Sequence, residues 1–272
     1  MAAEEPRPIS SLMDLSGRVA VITGAAGHLG QAMASTLSEL GCSVCLLDRN
    51  AEALEKSANQ LRTKWNKPVE QLLIDLESED ERKNVLAWVT QKFGRADILV
   101  NNAGFVGDSA LTGWVVPFEE QEIGTWRRAV EVNLTAAFHL SQVLSPLLRI
   151  NSKGSIINVS SIYGVVGPDL ALYQGTAMGN PAAYAASKGG LIQITRWLST
   201  VLAPDIRVNC ISPGGIARNQ PEPFQERYIE RTPMRRMGRE EDFKGAAAYF
   251  ASDLSAWVTG QNLMVDGGWT AW

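Results

Sequence analysis

Tyr184 and Lys188 stand four residues apart in Tyr184-Ala-Ala-Ser-Lys188. On a helix that spacing puts both side chains on one face. An ammonium beside a phenol favours phenolate, which lowers the tyrosine pKa toward the range useful for acid/base work. Such a pair suits proton exchange with an alcohol or a ketone. Ser160-Ser161 closes an apolar run and offers a hydroxyl for the same oxygen. Alone, Tyr-x-x-x-Lys is common and usually marks a solvated helix face. Asn133 is an independent signal. Trp126, Ala129, Val130, Ala136, Ala137, Leu140, Val143, Leu144 and Leu147 form an apolar stripe of helical period, and Asn133 falls inside it. A buried amide needs a specific partner, either a structural backbone bond or a role in the site.

A second group of residues could hold phosphate. Thr23-Gly24-Ala25-Ala26-Gly27-His28-Leu29-Gly30 joins the first strand-like run to a helical one. Glycines there permit a tight turn and bring backbone N–H groups to a pyrophosphate at the helix N-terminus. The next apolar run ends in Asp48, placed to accept hydrogen bonds from adenosine ribose hydroxyls. A carboxylate at that point repels a 2′-phosphate, so NAD is expected over NADP, with Arg49 partly opposing the preference. Asp75-Leu76 and Asn101-Asn102-Ala103-Gly104 follow two further strand-like runs, on the edge where ligands of parallel sheets bind.

The elements that must position these residues alternate. Strands are expected at Arg18–Thr23, Ser43–Asp48, Glu70–Asp75, Asp97–Asn101, Ser155–Ser160, Ile206–Ile211 and Asn262–Val265. Helices are expected to Leu40, over Ala51–Trp65 and Asp80–Phe93, and near 125–149, 182–202, 221–231 and 240–252. The strand runs are continuously β-branched or leucine-rich, which is the pattern of a parallel sheet buried on both faces. The expected fold is therefore α/β, a single-domain doubly wound parallel sheet with helices on both faces. Residues 1–17 read as a polar leader and 18–272 as one domain.

Composition narrows the chemistry. The chain has 272 residues, 45% hydrophobic and 20% charged, with a net charge of −4, which argues against a nucleic-acid footprint. No apolar run is long enough to span a membrane, and the acidic start is unlike a signal or transit peptide, so a cytoplasmic protein is expected. Histidine occurs only at His28 and His139, and cysteine only at Cys42, Cys45 and Cys210. A metal site or a Ser-His-Asp triad is poorly supplied. Cys42-x-x-Cys45 lies in a buried strand, where cysteine acts as a small hydrophobe.

Together these residues resemble the short-chain dehydrogenase/reductase family, from Arg18 to Gly268. The matches are Thr23-Gly24, Asn101-Asn102-Ala103-Gly104, Asn133, Ser161, Tyr184-x-x-x-Lys188, Pro213-Gly214 and Val265-Asp266-Gly267-Gly268. The resemblance implies a Rossmann-like fold, a nicotinamide cofactor, no metal, and a homotetramer or homodimer with the helices near 125–149 and 182–202 at the interface. It implies that Tyr184 is the acid/base and that Ser161, through Ser161-x-x-Gly164, holds the substrate oxygen. Lys188 would lower the tyrosine pKa and hold the nicotinamide ribose. Asn133 would anchor a relay water, and Pro213, Gly214 and Ile216 would contact the nicotinamide. The implied activity is NAD-dependent interconversion of a secondary alcohol and a ketone. A nicotinamide-recycling epimerase or dehydratase, and a non-catalytic dinucleotide sensor or scaffold, are the rival readings.

Three departures from the family pattern concern specificity. His28 stands where the family has glycine, and Gly24, Gly27 and Gly30 are spaced as in the extended branch, although the chain is short for that branch's substrate domain. The stretch from Ser161 to Tyr184 is long, which brings Asp169 and Tyr173 either to the mouth of the site or to a neighbouring subunit. Arg218 stands where a threonine is usual, in a segment from Ile216 to Arg239 with six arginines and three glutamates. That segment, near 215–239, reads as a solvated lid, or as one whose Arg218 pairs with an anionic substrate. The insert, the 214–222 run and the Trp269-Thr-Ala-Trp272 tail are more loosely similar to a bacterial subgroup of surface-sugar and flagellin-glycan biosynthesis. That likeness raises sugars and sugar acids as substrates, within carbohydrate metabolism.

Overall fold

The computed structural model describes residues 6–106 and 111–272. The first five residues of the leader lie outside this range. Seven strands form one parallel sheet in the order β3-β2-β1-β4-β5-β6-β7. They are β1 (Val19–Thr23), β2 (Ser43–Asp48), β3 (Val69–Leu73), β4 (Ile98–Asn101), β5 (Gly154–Val159), β6 (Ile206–Pro213) and β7 (Asn262–Val265). The helices are α1 (Ile9–Met13), α2 (His28–Glu39), α3 (Ala51–Trp65), α4 (Glu79–Phe93), α5 (Ile123–Val130), α6 (Ala136–Leu148), α7 (Ala182–Val201), α8 (Glu222–Arg231) and α9 (Lys244–Ala251). The chain leaves β1 toward β2 and β3, then returns to β4 on the other side. The order thus reverses between β1 and β4, where a crevice opens at the carboxyl ends of the strands.

Period-two alternation splits the strands between two cores. Ala20, Ile22, Val44, Leu46, Ile98 and Val100 pack with α2, α3 and α9. Val21, Cys45, Leu47, Leu99 and Ile156 pack with α4, α6 and α7. Cys42 and Cys45 fall in different cores, on opposite faces of the sheet, and so do not form a paired site. Burial raises the pKa of both thiols.

Local chemistry sets the helix ends. Asn50 accepts a hydrogen bond from Ala53 N–H at the start of α3, and Ser78 does the same from Glu81 at the start of α4. Helix α2 differs: its N-cap is Gly27, with no side chain to cap its first turn. The expected helix over 125–149 is interrupted by one π-helical turn at Glu131–Thr135, centred on Asn133. The expected polar leader, 1–17, contains α1 and also Leu15, which is fully buried in the core that α2 and β2 share. Arg7 and Arg18 both pair with Asp253, tying this segment to the far end of the chain.

Candidate active site

The glycine-rich turn and the Asn102-Ala103-Gly104 loop clasp each other. Thr23 Oγ1 accepts hydrogen bonds from Asn102 N–H and Ala103 N–H, both at 3.1 Å. Asn102 Nδ2 donates to the carbonyls of Thr23 (3.0 Å) and Gly24 (3.1 Å). A Cβ on Gly24 would meet Ala103 Cα at 2.8 Å, and one on Gly30 would meet Gly24 O at 2.2 Å. Gly24 also has a φ of +62°, so both positions require glycine. Asp48, at the end of β2, accepts from Ala26 N–H at 3.0 Å and from Asn50 N–H at 3.1 Å. The carboxylate therefore braces the turn while standing at the crevice. Asp75 and Leu76 close the turn after β3, and the Leu76 carbonyl accepts from buried Arg82.

Arg82 was not legible as a site-supporting residue. It is 2% exposed, donates to His139 Nδ1 at 3.1 Å and pairs with Glu131 at 2.6 Å. It thereby connects the Asp75-Leu76 turn to the π-helical turn that carries Asn133. Asn133, 1% exposed, accepts from Phe105 N–H at 2.6 Å and donates to Ser187 Oγ at 2.9 Å. Ser187 Oγ in turn donates to the Tyr184 carbonyl. Asn133 thus holds the loop after Gly104 against the first turns of α7.

The two serines have different positions. Ser160 Oγ donates to the Lys188 carbonyl at 2.7 Å and fixes the α7 backbone. Ser161 Oγ accepts from Tyr163 N–H at 3.2 Å and lies beside the Tyr184 hydroxyl, where it partly offsets the rise in pKa that burial causes. A Cβ on Gly164 would lie 2.8 Å from Lys188 C and O and from Ser160 Oγ, so glycine lets this turn rest on α7.

Lys188 is 3% exposed, and its Nζ donates to Val159 O at 2.8 Å. Burial lowers its pKa to about 8. Lys188, expected to lower the tyrosine pKa, is not among the groups that act on it here. Burial raises the Tyr184 pKa, and Ser161 is the group that acts against it. Lys188 Nζ is turned to the β5 carbonyl and sits 5.8 Å from the Tyr184 ring centroid.

A dinucleotide fits this arrangement. The first turn of α2 has no capping side chain, as an anion-binding helix start requires. Among the described residues Lys188 has one of its three N–H groups engaged, and Gly104, with no side chain, faces its ammonium. A Cβ on Gly104 would still stand 3.7 Å from Lys188 Nζ and 3.9 Å from Asn133 Oδ1. Pro213 ends β6 beside Val265, Gly214 N–H donates to Val265 O, and Ile216 bridges Gly238.

A sequence family model described as enoyl-(acyl carrier protein) reductase matches residues 24–270. The chain belongs to the short-chain dehydrogenase/reductase family. It is 35% identical over 266 residues to the 3-oxoacyl-[acyl-carrier-protein] reductase of Thermotoga maritima, covering 94% of this chain and 99% of that one. It resembles the structure of an NAD+-bound xylitol dehydrogenase at 32% identity with a TM-score of 0.83, covering 93% and 99% of the two chains. It also resembles a gluconate 5-dehydrogenase from Burkholderia cenocepacia J2315 in complex with NADP and tartrate. Here identity is 27% and TM-score 0.85, covering 97% of this chain and all of that one. This short-chain dehydrogenase/reductase is an NAD(P)-dependent oxidoreductase.

The three residues singled out for substrate contact separate. Asp169 caps Ala171 N–H and pairs with Arg231 of α8 at 2.5 Å. Arg227 donates to the carbonyls of Ala171, Leu172 and Gln174. The insert therefore packs on α8 of its own chain, through charges that read in sequence as a solvated run. Arg218 lies instead beside Glu240 at 3.2 Å, and His28 of the glycine-rich turn reaches the same Glu240 oxygen at 3.8 Å. Arg218 is thus grouped with the cofactor end and Asp169 with α8. Tyr173 alone reaches the residues around Tyr184: its hydroxyl hydrogen-bonds Tyr163 at 2.6 Å. Tyr163 and Asn180 were missed in sequence; only their place between Gly104 and Tyr184 pointed to them. Trp269 is 3% exposed and stacks on Tyr228 within the chain's own core, while Trp272 is exposed.

Proposed function

We propose that this enzyme interconverts a secondary alcohol and a ketone on a polyhydroxylated sugar or sugar-acid derivative, with NAD as the preferred cofactor. The observation that carries this reading is the meeting of the Tyr184 hydroxyl, Ser161 and the Lys188 ammonium at the carboxyl end of β5, facing Gly104. In oxidation, Ser161 holds the substrate oxygen and the Tyr184 oxygen takes the hydroxyl proton. The C–H hydrogen leaves the same carbon with its electron pair, and the C–O bond becomes a carbonyl. When bound, the oxidised nicotinamide supplies the hydride acceptor and a positive charge that favours tyrosinate. Lys188 would hold the nicotinamide ribose, and Asn133, which keeps the Phe105 loop and α7 in register, would anchor a relay water. Thr23, Gly24, Gly27, His28, Leu29 and Gly30 would line the diphosphate, Asp48 would take the adenosine ribose, and Asp75, Leu76, Asn102, Ala103 and Gly104 would line the adenosine-to-nicotinamide crevice. Pro213, Gly214 and Ile216 close it.

Asp48 supports NAD, because a 2′-phosphate would meet its carboxylate. The sugar reading is supported by what the two structural relatives act on or bind by name, xylitol and gluconate. Helices α5, α6 and α7 carry exposed Trp126, Phe138 and Trp197, which supports assembly into a dimer or tetramer through them. No helix among the described residues is long and apolar enough to cross a membrane. Buried free thiols support a cytoplasmic setting.

The test is a spectrophotometric screen of polyols, sugars and sugar acids with NAD+ and NADP+. Reduced cofactor is expected to accumulate in proportion to ketone, faster with NAD+. Turnover of a sugar with no net reduced cofactor would replace this reading with an epimerase or dehydratase.

A further inference from the structure

The carboxamide of Asn180 is a polar group close to Tyr184 in sequence that the described residues leave unmatched. Its Nδ2 and Oδ1 are both shielded from solvent, and neither has a hydrogen-bond partner among the described residues. Burying such a group unpaired is costly, and an apolar side chain of similar shape would avoid the cost. Asn180 is nevertheless held in place. It immediately precedes Pro181, the N-cap of α7, and lies four residues before Tyr184. Gly179 beside it allows the chain to pass against Val115, where a Cβ would meet Val115 Cγ1 at 2.7 Å.

The neighbouring polar groups point the same way. Asn180 lies close enough to the Tyr173 hydroxyl to oppose the burial that raises that group's pKa, without completing a hydrogen bond to it. Tyr173 and Tyr163 share one hydrogen bond at 2.6 Å, so one of their two hydroxyl hydrogens stays available. Tyr163 adjoins the reacting site through its N–H, which donates to Ser161 Oγ at 3.2 Å, and its hydroxyl carries the contact on to Tyr173. The remaining walls are aromatic: Phe224 lies 5.4 Å from the Tyr173 ring and Trp269 6.4 Å from the Tyr163 ring. The site next to the reacting oxygen is thus an aromatic box that holds, among the described residues, one donor-and-acceptor amide, one free hydroxyl hydrogen and the unpaired indole N–H of Trp269. Tyr173 belongs to the segment that lengthens the Ser161-to-Tyr184 stretch, which connects that insertion to substrate choice.

We propose that Asn180 and the Tyr163–Tyr173 pair form a subsite for a second hydroxyl of the substrate, next to the carbon that reacts at Tyr184. The substrates are then vicinal diols and their α-hydroxy ketones, the class that includes polyols and sugar acids. This deepens the function proposed above and rests on Tyr184 and Ser161 holding the reacting oxygen. A site that hydrogen-bonds a substrate hydroxyl discriminates strongly against the analogue lacking it, because its own polar groups are left unpaired.

The experiment compares matched pairs, butane-2,3-diol with butan-2-ol and cyclohexane-1,2-diol with cyclohexanol, in wild type, Asn180→Leu and Tyr173→Phe. For wild type the diol is expected to exceed the mono-alcohol in kcat/KM by at least about 100-fold. Asn180→Leu should lose at least about tenfold of that ratio, chiefly through KM for the diol, and Tyr173→Phe should lose less. NADH fluorescence should report an unchanged dissociation constant for the cofactor in both variants. Displacement titrations of the protein–NADH complex measure diol and mono-alcohol binding without turnover. Equal binding of the pair by wild type, or an Asn180→Leu ratio equal to wild type, overturns the subsite and leaves Asn180 a structural residue. A diol preference in binding with no oxidation of either compound would instead sustain the subsite and overturn the function proposed for Tyr184.

Discussion

The two ends of the crevice are built differently. At the cofactor end, between β1, β2 and β4, backbone meets backbone, and glycine is required because a Cβ on Gly30 would stand 2.2 Å from a carbonyl. At the substrate end, side chains meet side chains. Asp169 pairs with Arg231, Arg227 reaches three carbonyls, and Tyr163, Tyr173, Phe224, Tyr228 and Trp269 pack into one aromatic cluster. The first kind of contact restricts residue type at each position. The second requires complementary partners from distant segments, and many combinations satisfy it. One scaffold can therefore keep its cofactor geometry while its substrate end changes.

That difference can be broken from either side. The largest effect is expected for Gly30→Ala. Alanine ordinarily favours a helix, yet here it should destabilise by about 3 kcal/mol and weaken NADH binding at least about 100-fold. Calorimetry and fluorescence titration check this. A variant as stable as wild type would show that the turn yields.

The Lys188 site comes next. Burial holds its folded pKa to about 8 against an ordinary 10.5, so unfolding takes up a proton between those values. Its contribution to stability therefore rises as pH increases from about 8 toward 10.5, and is lost as pH falls through 8. Across that window Lys188→Met should remove a rise of about 3 kcal/mol, read from urea unfolding at several pH values. The raised Tyr184 pKa acts in the opposite sense, but only above pH 10. An unchanged pH profile in Lys188→Met would place the shift elsewhere.

Asp48→Ala should move the NAD:NADP preference toward NADP by about 10-fold or more in kcat/KM, the scale of one charge–charge contact. It should also loosen the turn, because Asp48 accepts from Ala26 N–H. The smallest effects belong to the substrate end. Arg231→Ala removes a part-exposed pair and should lower stability by less than about 1 kcal/mol. Gly167→Ala meets nothing within 4 Å and should change stability by no more than about 0.5 kcal/mol.

The same contrast explains how much was legible in the sequence. The strands were readable because burial on both faces makes them continuous apolar runs, and the crevice followed from their order. The clasp of Thr23-Gly24 with Asn102 was readable because backbone packs on backbone there, and Tyr184-x-x-x-Lys188 because its spacing puts both side chains on one helix face. The π-helical turn was not, because the apolar stripe around Asn133 keeps an α-helical period through it. Nor was buried Arg82, whose partners Leu76, His139 and Glu131 are local only in the fold. The arginines of 216–239 read as solvated because their partners lie in the insert and beyond Arg239. Asn180 was silent because an asparagine before a proline ordinarily means only a turn.

Tyr184→Phe tests the chemistry most directly. The variant keeps the ring and removes the one oxygen that takes the substrate proton. NADH binding, read by fluorescence, should stay within about twofold, while kcat/KM for any oxidised alcohol should fall at least about 1,000-fold. A variant that binds NADH and turns over at the wild-type rate would contradict the assignment of Tyr184 as the acid/base.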